Sequence, residues 1–197
     1  MRWPSKEPSF EVVHTYPMFE LRRYEAYLVA TTEVTGDFDK VGNEAFRVLA
    51  DYIFGNNQSK TKMAMTAPVN QQPAEGEKIE MTAPVTQRPS GPHEDRYLLS
   101  FVMPSGYRLD TLPTPNNPRV TLHEEPARLM AVRRYSGRWT YSNYEDNRRI
   151  LLMAVEEAKL KAIGDPVYAR YNPPFTPWFL RRNEVMVEIA PAGDAAD

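Results

Sequence analysis

Lys62-Met63-Ala64-Met65-Thr66-Ala67-Pro68-Val69-Asn70-Gln71 returns sixteen residues later as Lys78-Ile79-Glu80-Met81-Thr82-Ala83-Pro84-Val85-Thr86-Gln87. The shared pattern, K-x-x-M-T-A-P-V-x-Q, is too long and too ordered to arise from composition. Lys62–Val69 and Lys78–Gln87 read as two strands joined by a polar Pro/Gly loop. Proline has no amide donor, so each copy ends its hydrogen-bond ladder or lies at a sheet edge, and the repetition records duplicated geometry in two neighbouring strands. A wider echo extends the duplication. Arg23-Tyr24-Glu25-Ala26 through Thr35-Gly36 parallels Glu125-Pro126-Ala127-Arg128 through Ser136-Gly137, and both halves run strand, Gly turn, helix, strands. A unit of that kind, used twice, predicts an α+β fold: an antiparallel sheet curled into a distorted β-barrel with two helices.

The remaining pattern fills in this outline. Residues 10–34 are rich in Val, Tyr, Thr and Phe and read as strands, broken at Tyr16-Pro17 and Gly36. Asp37 can cap a helix whose apolar positions Phe38, Val41, Ala45, Val48, Leu49, Tyr52 and Ile53 recur at helical spacing and stop at Gly55. Strands are expected at Tyr97–Met103, Val120–Glu124, Arg128–Arg134, Val167–Tyr171 and Glu184–Ile189, with a long connection from Pro104 to Pro118. Ser142-x-x-Glu145 forms a capping box for a second helix running to about Ile163, where Gly164-Asp165-Pro166 stops it. A chain of 197 residues with this pattern reads as one domain over 1–197, with its core at about 10–190 and frayed ends.

Bulk composition narrows the function classes. A formal charge of -2 gives no general pull toward nucleic acid or anionic membrane. The longest apolar run, Ile150–Val155, is far too short to span a bilayer. The absence of cysteine excludes disulfides, Cys-based zinc sites, a thiolate haem ligand and C-x-x-C-H haem attachment. The first residues lack the apolar stretch of a secretory signal, which makes cytoplasmic the default expectation.

Taken with Tyr171-Asn172-Pro173-Pro174-Phe175-Thr176-Pro177 and Arg181-Arg182-Asn183-Glu184-Val185, the repeated phrase resembles the SOUL haem-binding protein family from about Phe19 to Ile189. The resemblance implies the same curled-sheet fold. It also implies reversible noncovalent binding of haem or a related tetrapyrrole, for buffering, transport or delivery. In such proteins the porphyrin lies in a shallow apolar cleft between the first helix and the loop before the last strand, with basic side chains near its propionates. Carried onto this chain, that nominates Asn43, Phe46, Arg47 and Ala50 on the helix and Tyr171, Phe175 and Thr176 on the loop. Arg47 is the nominated propionate partner, its alternative role being a solvated helix-face arginine. Thr176 stands where some members carry a basic residue, and no histidine lies on helix or loop, so the resemblance nominates no axial ligand to iron.

From the residues alone, several alternatives stay open. His14, His93 and His123 are the available nitrogen ligands; His93 belongs to a solvated loop, and the other two read either as ligands or as ordinary strand histidines. Met63, Met65 and Met81 can serve as thioether ligands or as core filling. Phe46, Ala50 and Phe54 form a second apolar strip on the first helix, read as half-buried core or as an exposed ligand or partner surface. Arg181-Arg182-Asn183-Glu184 reads as ion pairing at strand entry or as a ligand contact. No G-x-S-x-G elbow, Walker loop or G-x-G-x-x-G fingerprint occurs, so the chain carries no catalytic signature. At the level of fold it also resembles effector-binding domains of bacterial multidrug-responsive regulators. An apolar or cationic small molecule held inside the curled sheet, favoured by a buried acid there, is therefore a second functional expectation. A protein-interaction module docking through Phe46 and Phe54 is a third.

Overall fold

The computed structural model describes residues 7–59, 76–90, 95–172 and 175–191. The first copy of the repeated phrase, with Met63 and Met65, lies outside these residues, as does His93.

The β-rich opening forms three strands, β1 (Phe10–Thr15), β2 (Glu20–Tyr24) and β3 (Tyr27–Thr35), followed by α1 (Phe38–Ile53). After the two-residue β4 (Asn57–Gln58) come β5 (Val85–Pro89), β6 (Arg96–Val102), the short β7 (Thr114–Pro115), β8 (Thr121–Glu125) and β9 (Arg128–Tyr135). Then follow α2 (Tyr141–Glu157), β10 (Ala162–Arg170) and β11 (Asn183–Ile189). Nine strands form one antiparallel sheet in the order β1-β2-β9-β11-β10-β5-β6-β3-β8, curled into a half-barrel, while β4 pairs only with β7.

Counted outward from its middle, this order displays the duplication. One side runs β10-β11-β9-β2 and the other β5-β6-β3-β8. The unit β3-α1-β5-β6 matches β9-α2-β10-β11. The strand preceding each unit is exchanged: β2 pairs with β9 of the second half, and β8 with β3 of the first.

Each helix covers its own half. The apolar face of α1 places Val41, Ala45, Leu49, Tyr52 and Ile53 against Leu28, Ala30, Leu99 and Phe101 of β3 and β6. The α2 helix buries Tyr144, Leu151 and Val155 against Ala131, Tyr168, Val185 and Val187 of β9, β10 and β11. The opposite face of the second half carries Tyr24, Met130, Val132, Val167, Ala169, Tyr171 and Met186.

Three boundaries differ from the sequence reading for local reasons. Of the strand expected at Lys78–Gln87, only Val85 onward joins the sheet. Ahead of it the Thr82 hydroxyl donates to the Val102 carbonyl, and Pro84 has no amide to give, so the ladder begins after the proline. In α2 the cap is Thr140, whose Oγ1 accepts from Asn143 N at 3.3 Å, and the Ser142 box is not used. The same helix ends near Ala158 rather than Ile163, because Lys159 takes a left-handed conformation (φ 56°). Lys159 N then reaches Glu156 O at 2.9 Å and Leu160 N reaches Val155 O at 3.1 Å, a Schellman closure made without glycine. Gly164-Asp165-Pro166 falls instead in β10, at the register shift between Ile163 and Val167.

Candidate functional site

The loop joining β10 to β11 spans residues 171–182, and its ends meet. Tyr171 N donates to Arg182 O at 3.2 Å, Arg182 N donates to Asn172 Oδ1 at 2.6 Å, and the Arg182 guanidinium lies 3.8 Å from the centre of the Tyr171 ring. Beneath this root sits Glu184, fully buried. Its carboxylate accepts from Arg22 Nη1 at 3.2 Å, from Arg182 Nη2 at 2.9 Å and from the Tyr171 hydroxyl at 2.7 Å. Each arginine also holds an outer carboxylate, Glu20 at 2.7 Å from Arg22 and Glu7 at 2.6 Å from Arg182. Charge therefore alternates along Glu20, Arg22, Glu184, Arg182 and Glu7.

This alternation explains how a charge survives in the interior. A buried carboxylate is tolerated only when paired and hydrogen-bonded, and Glu184 is both. Its neighbours record the same field. Burial, then the Glu184 charge, pushes the Tyr24 phenol up to about 12 and the Tyr171 phenol well above its ordinary value. Burial works against the charge on Arg22, but Glu184, Tyr24 and Glu20 outweigh it, so its pKa rises. The buried acid that would favour a cationic ligand is thus present, but two guanidinium groups already neutralise it.

On the other face of the sheet, Arg170 leads from β10 into the loop. Its guanidinium lies 5.1 Å from the Trp139 ring and 4.9 Å from the Tyr168 ring, and Nη2 donates to Gln87 Oε1 at 3.1 Å. A second guanidinium, Arg181, stacks 4.0 Å from Trp139. Trp139 is fixed by Nε1 donating to Asn183 Oδ1 at 2.8 Å. Gly42 makes room for this assembly on α1: a Cβ there would stand 2.8 Å from Arg170 Nη1. The root of the loop is thereby set against the helix.

Beyond the root the loop is apolar and solvent-facing. Phe175 is 78 % exposed, and Trp178, Phe179 and Leu180 are each more than half exposed. Four large apolar side chains in one short stretch form the kind of patch that marks a binding surface. Arg138 approaches it, 6.0 Å from the Trp178 ring.

The residues nominated from sequence divide between these settings. Asn43 and Arg47 are exposed on α1, one and five positions past Gly42, and Arg47 makes no ion pair among the described residues. Phe46 is half-buried, its ring 5.3 Å from that of Phe101, and Ala50 is buried. The strip they were read to form is therefore mostly core, with only Phe54 standing out at 62 % exposure. Phe175 and Thr176 lie on the loop beyond its root, with the Thr176 carbonyl accepting from Arg181 Nε at 2.8 Å. Tyr171 is not brought to α1; its side chain joins the cluster on the far face. Arg181-Arg182-Asn183-Glu184 is accounted for by stacking, ion pairing and hydrogen bonds. His14 lies on β1 against Tyr16 and His123 on β8 against Glu125, at opposite edges of the sheet. Sequence reasoning missed Trp139, Arg170 and Gly42. The one available signal was a glycine inside a helical pattern.

Residues 5–188 match the SOUL heme-binding protein family. The chain belongs to this family. Heme-binding protein 1 of Xenopus tropicalis is 28% identical over 170 residues, covering 85% of this chain and 81% of the relative. Heme-binding protein 2 of Homo sapiens is 27% identical over 179 residues, covering 84% and 79%. Among solved structures, the EcmrR C-terminal domain superposes with a TM-score of 0.60 at 8% identity, covering 92% of this chain and 98% of that domain. A hydrolase from Listeria innocua gives 0.58 at 11% identity, covering 95% and 93%. At such identities these two likenesses concern the fold alone. The SOUL membership rests on the sequence, and within it no described helix is long and apolar enough to cross a membrane.

A separate cavity of this SOUL-family chain lies beside the segment before β1, with Glu7 in its lining. It measures about 1030 Å³, between the residues preceding β1, the β2–β3 turn and the connection after β6. Leu28, Val102 and Met103 line it, together with the acidic Glu25 and Glu124.

Proposed function

We propose that this protein binds haem or a related tetrapyrrole reversibly and noncovalently, for buffering, transport or delivery. The observation that carries this reading is the exposed apolar quartet Phe175, Trp178, Phe179 and Leu180, on a loop rooted against α1 in a member of the SOUL family. The names of the curated relatives support the same ligand class.

The residues suit the macrocycle better than its metal. Flat aromatic and aliphatic surface answers the porphyrin rings, and burying it at ~25 cal/mol per Å² supplies affinity once association costs are met. Arg47, exposed on α1 one turn along from Asn43, is the residue we assign to a propionate, a guanidinium matching a carboxylate through two hydrogen bonds. A bound haem would bring redox-active iron, but neither α1 nor the loop carries a histidine to ligate it. The site is therefore that of a porphyrin binder indifferent to the central metal.

Titrating the protein with haem and with metal-free protoporphyrin, by absorbance and by quenching of Trp fluorescence, tests this. Both are expected to bind saturably, one to one, and His14→Ala and His123→Ala to leave the haem Soret band unchanged. Binding of haem alone, or loss of the band in either variant, would overturn the metal-indifferent site. A second reading has one observation behind it, the cavity of about 1030 Å³ whose lining is part apolar and part acidic, which suits an apolar cation. Saturable binding of a hydrophobic cation with no porphyrin binding would transfer the function there.

A further inference from the structure

The aromatic loop hangs from a root whose charges are not all local. Arg182 closes the loop, and its guanidinium faces two carboxylates: Glu184, two residues on, and Glu7, from the segment before β1. Glu7 is held by two parallel hydrogen bonds, Arg182 Nη1 to Oε1 at 2.6 Å and Nη2 to Oε2 at 3.0 Å. This is the two-pronged geometry that fixes a guanidinium in orientation as well as position. Glu184 alone is a poorer anchor, because Arg22 and Tyr171 share its oxygens. At the far end of the line, Glu20 stands to Arg22 as Glu7 stands to Arg182, but Arg22 lies on β2, in the middle of a strand paired on both sides.

We propose that Glu7 is a positioning residue for the binding loop, a latch through which the segment before β1 sets where the aromatic quartet stands and hence how tightly ligand is held. The ligand part of this rests on the porphyrin-binding reading; the loop part does not. With Glu7 in place, Arg182 is held from two sides and its stack on Tyr171 is fixed. Without it, the Arg182 guanidinium keeps its hydrogen bonds to the shared Glu184 Oε1, at 2.9 and 3.1 Å, and its stack on Tyr171, but loses its two-pronged hold, and the loop gains freedom at its C-terminal root. Outer carboxylates at the two ends of one charge line should thus differ in effect: the one beside the loop governs the loop, and the one on the strand does not.

The experiment compares Glu7→Gln with Glu20→Gln in the full chain. Hydrogen exchange of the loop peptide is measured without ligand, and protoporphyrin affinity by fluorescence titration. Glu7→Gln is expected to speed loop exchange at least tenfold and to weaken protoporphyrin about tenfold, with Glu7→Asp recovering part of both. Glu20→Gln, an equal loss of charge, should leave loop exchange and affinity at parental values. Unchanged loop exchange in Glu7→Gln, or the same acceleration in Glu20→Gln, overturns the latch. If the parent binds no porphyrin yet Glu7→Gln loosens the loop, the latch stands and the ligand reading falls. If the parent binds porphyrin and Glu7→Gln exchanges like it, the reverse holds.

Discussion

The two halves of the sheet use one plan and differ at two corresponding places. With Gly36 set against Gly137, Glu33 of β3 corresponds to Arg134 of β9, and their cross-strand partners are Leu98 and Glu184. In the first half that partner position is an ordinary, partly buried leucine; in the second it is the centre of a five-member charge line. The hairpin loops differ in parallel. The stretch between β5 and β6, residues 90–95, is short and polar in sequence, whereas 171–182 join β10 to β11 with the aromatic loop. The halves differ elsewhere too, since β4 and a long segment separate α1 from β5 while α2 leads almost directly into β10. At this place, though, the difference joins the polar interior to the loop, because Arg182 belongs to both.

The largest effect should come from breaking the charge line. Glu184→Ala removes the carboxylate shared by buried Arg22 and half-buried Arg182 and leaves each with its outer partner alone, and a loss of about 3–5 kcal/mol in urea unfolding is expected. Its counterpart Leu98→Ala should lose only about 1 kcal/mol, the share of a partly buried side chain. Equal losses would erase the distinction between the halves. Next comes the surface. Phe175→Glu should weaken protoporphyrin about tenfold, or about 1.4 kcal/mol, and shift stability by less than about 0.5 kcal/mol. Ser90→Ala in the matching hairpin should alter neither. Phe46 is a poorer probe, since its ring packs on Phe101 and a charge there would damage the core as well. Smallest are the helix starts. Thr140→Ala should lose about 1 kcal/mol by thermal unfolding, because its hydroxyl caps α2. Asp37→Ala should lose less, because the Asp37 side chain caps no α1 amide and instead meets the exposed Lys40 at 2.8 Å.

Most of the architecture was legible because periodicity and turn residues are local signals. The apolar spacing of α1 gave both its ends, and the Gly36 and Gly137 echo gave the duplication. The end of α2 was not legible, since Lys159 in a left-handed conformation leaves no compositional mark. Of the site, the exposed apolar surface was sought on the α1 strip, which is mostly core, whereas the structure exposes the loop residues Phe175, Trp178, Phe179 and Leu180. Tyr171 was drawn into the same set by its place in the motif, yet strand alternation turns it to the far face, while its neighbour Arg170 faces α1. Pairings across the chain are fixed by tertiary approach: that of Glu7 with Arg182 has no signature in either partner's neighbourhood, and that of Gly42 with Arg170 leaves one mark, a glycine inside a helical pattern.

The exchange of β2 and β8 makes the halves hostage to each other. A piece ending near Pro118 would hold β2 with no β9 to lie beside, and the complementary piece would hold β9 with one flank bare. Neither can complete its sheet from its own residues. Two copies of a single half could do so by lending each other the leading strand, and one chain carrying both makes that exchange internal. The seam between β5 and β10 joins the halves, and the aromatic loop of the second stands beside α1 of the first.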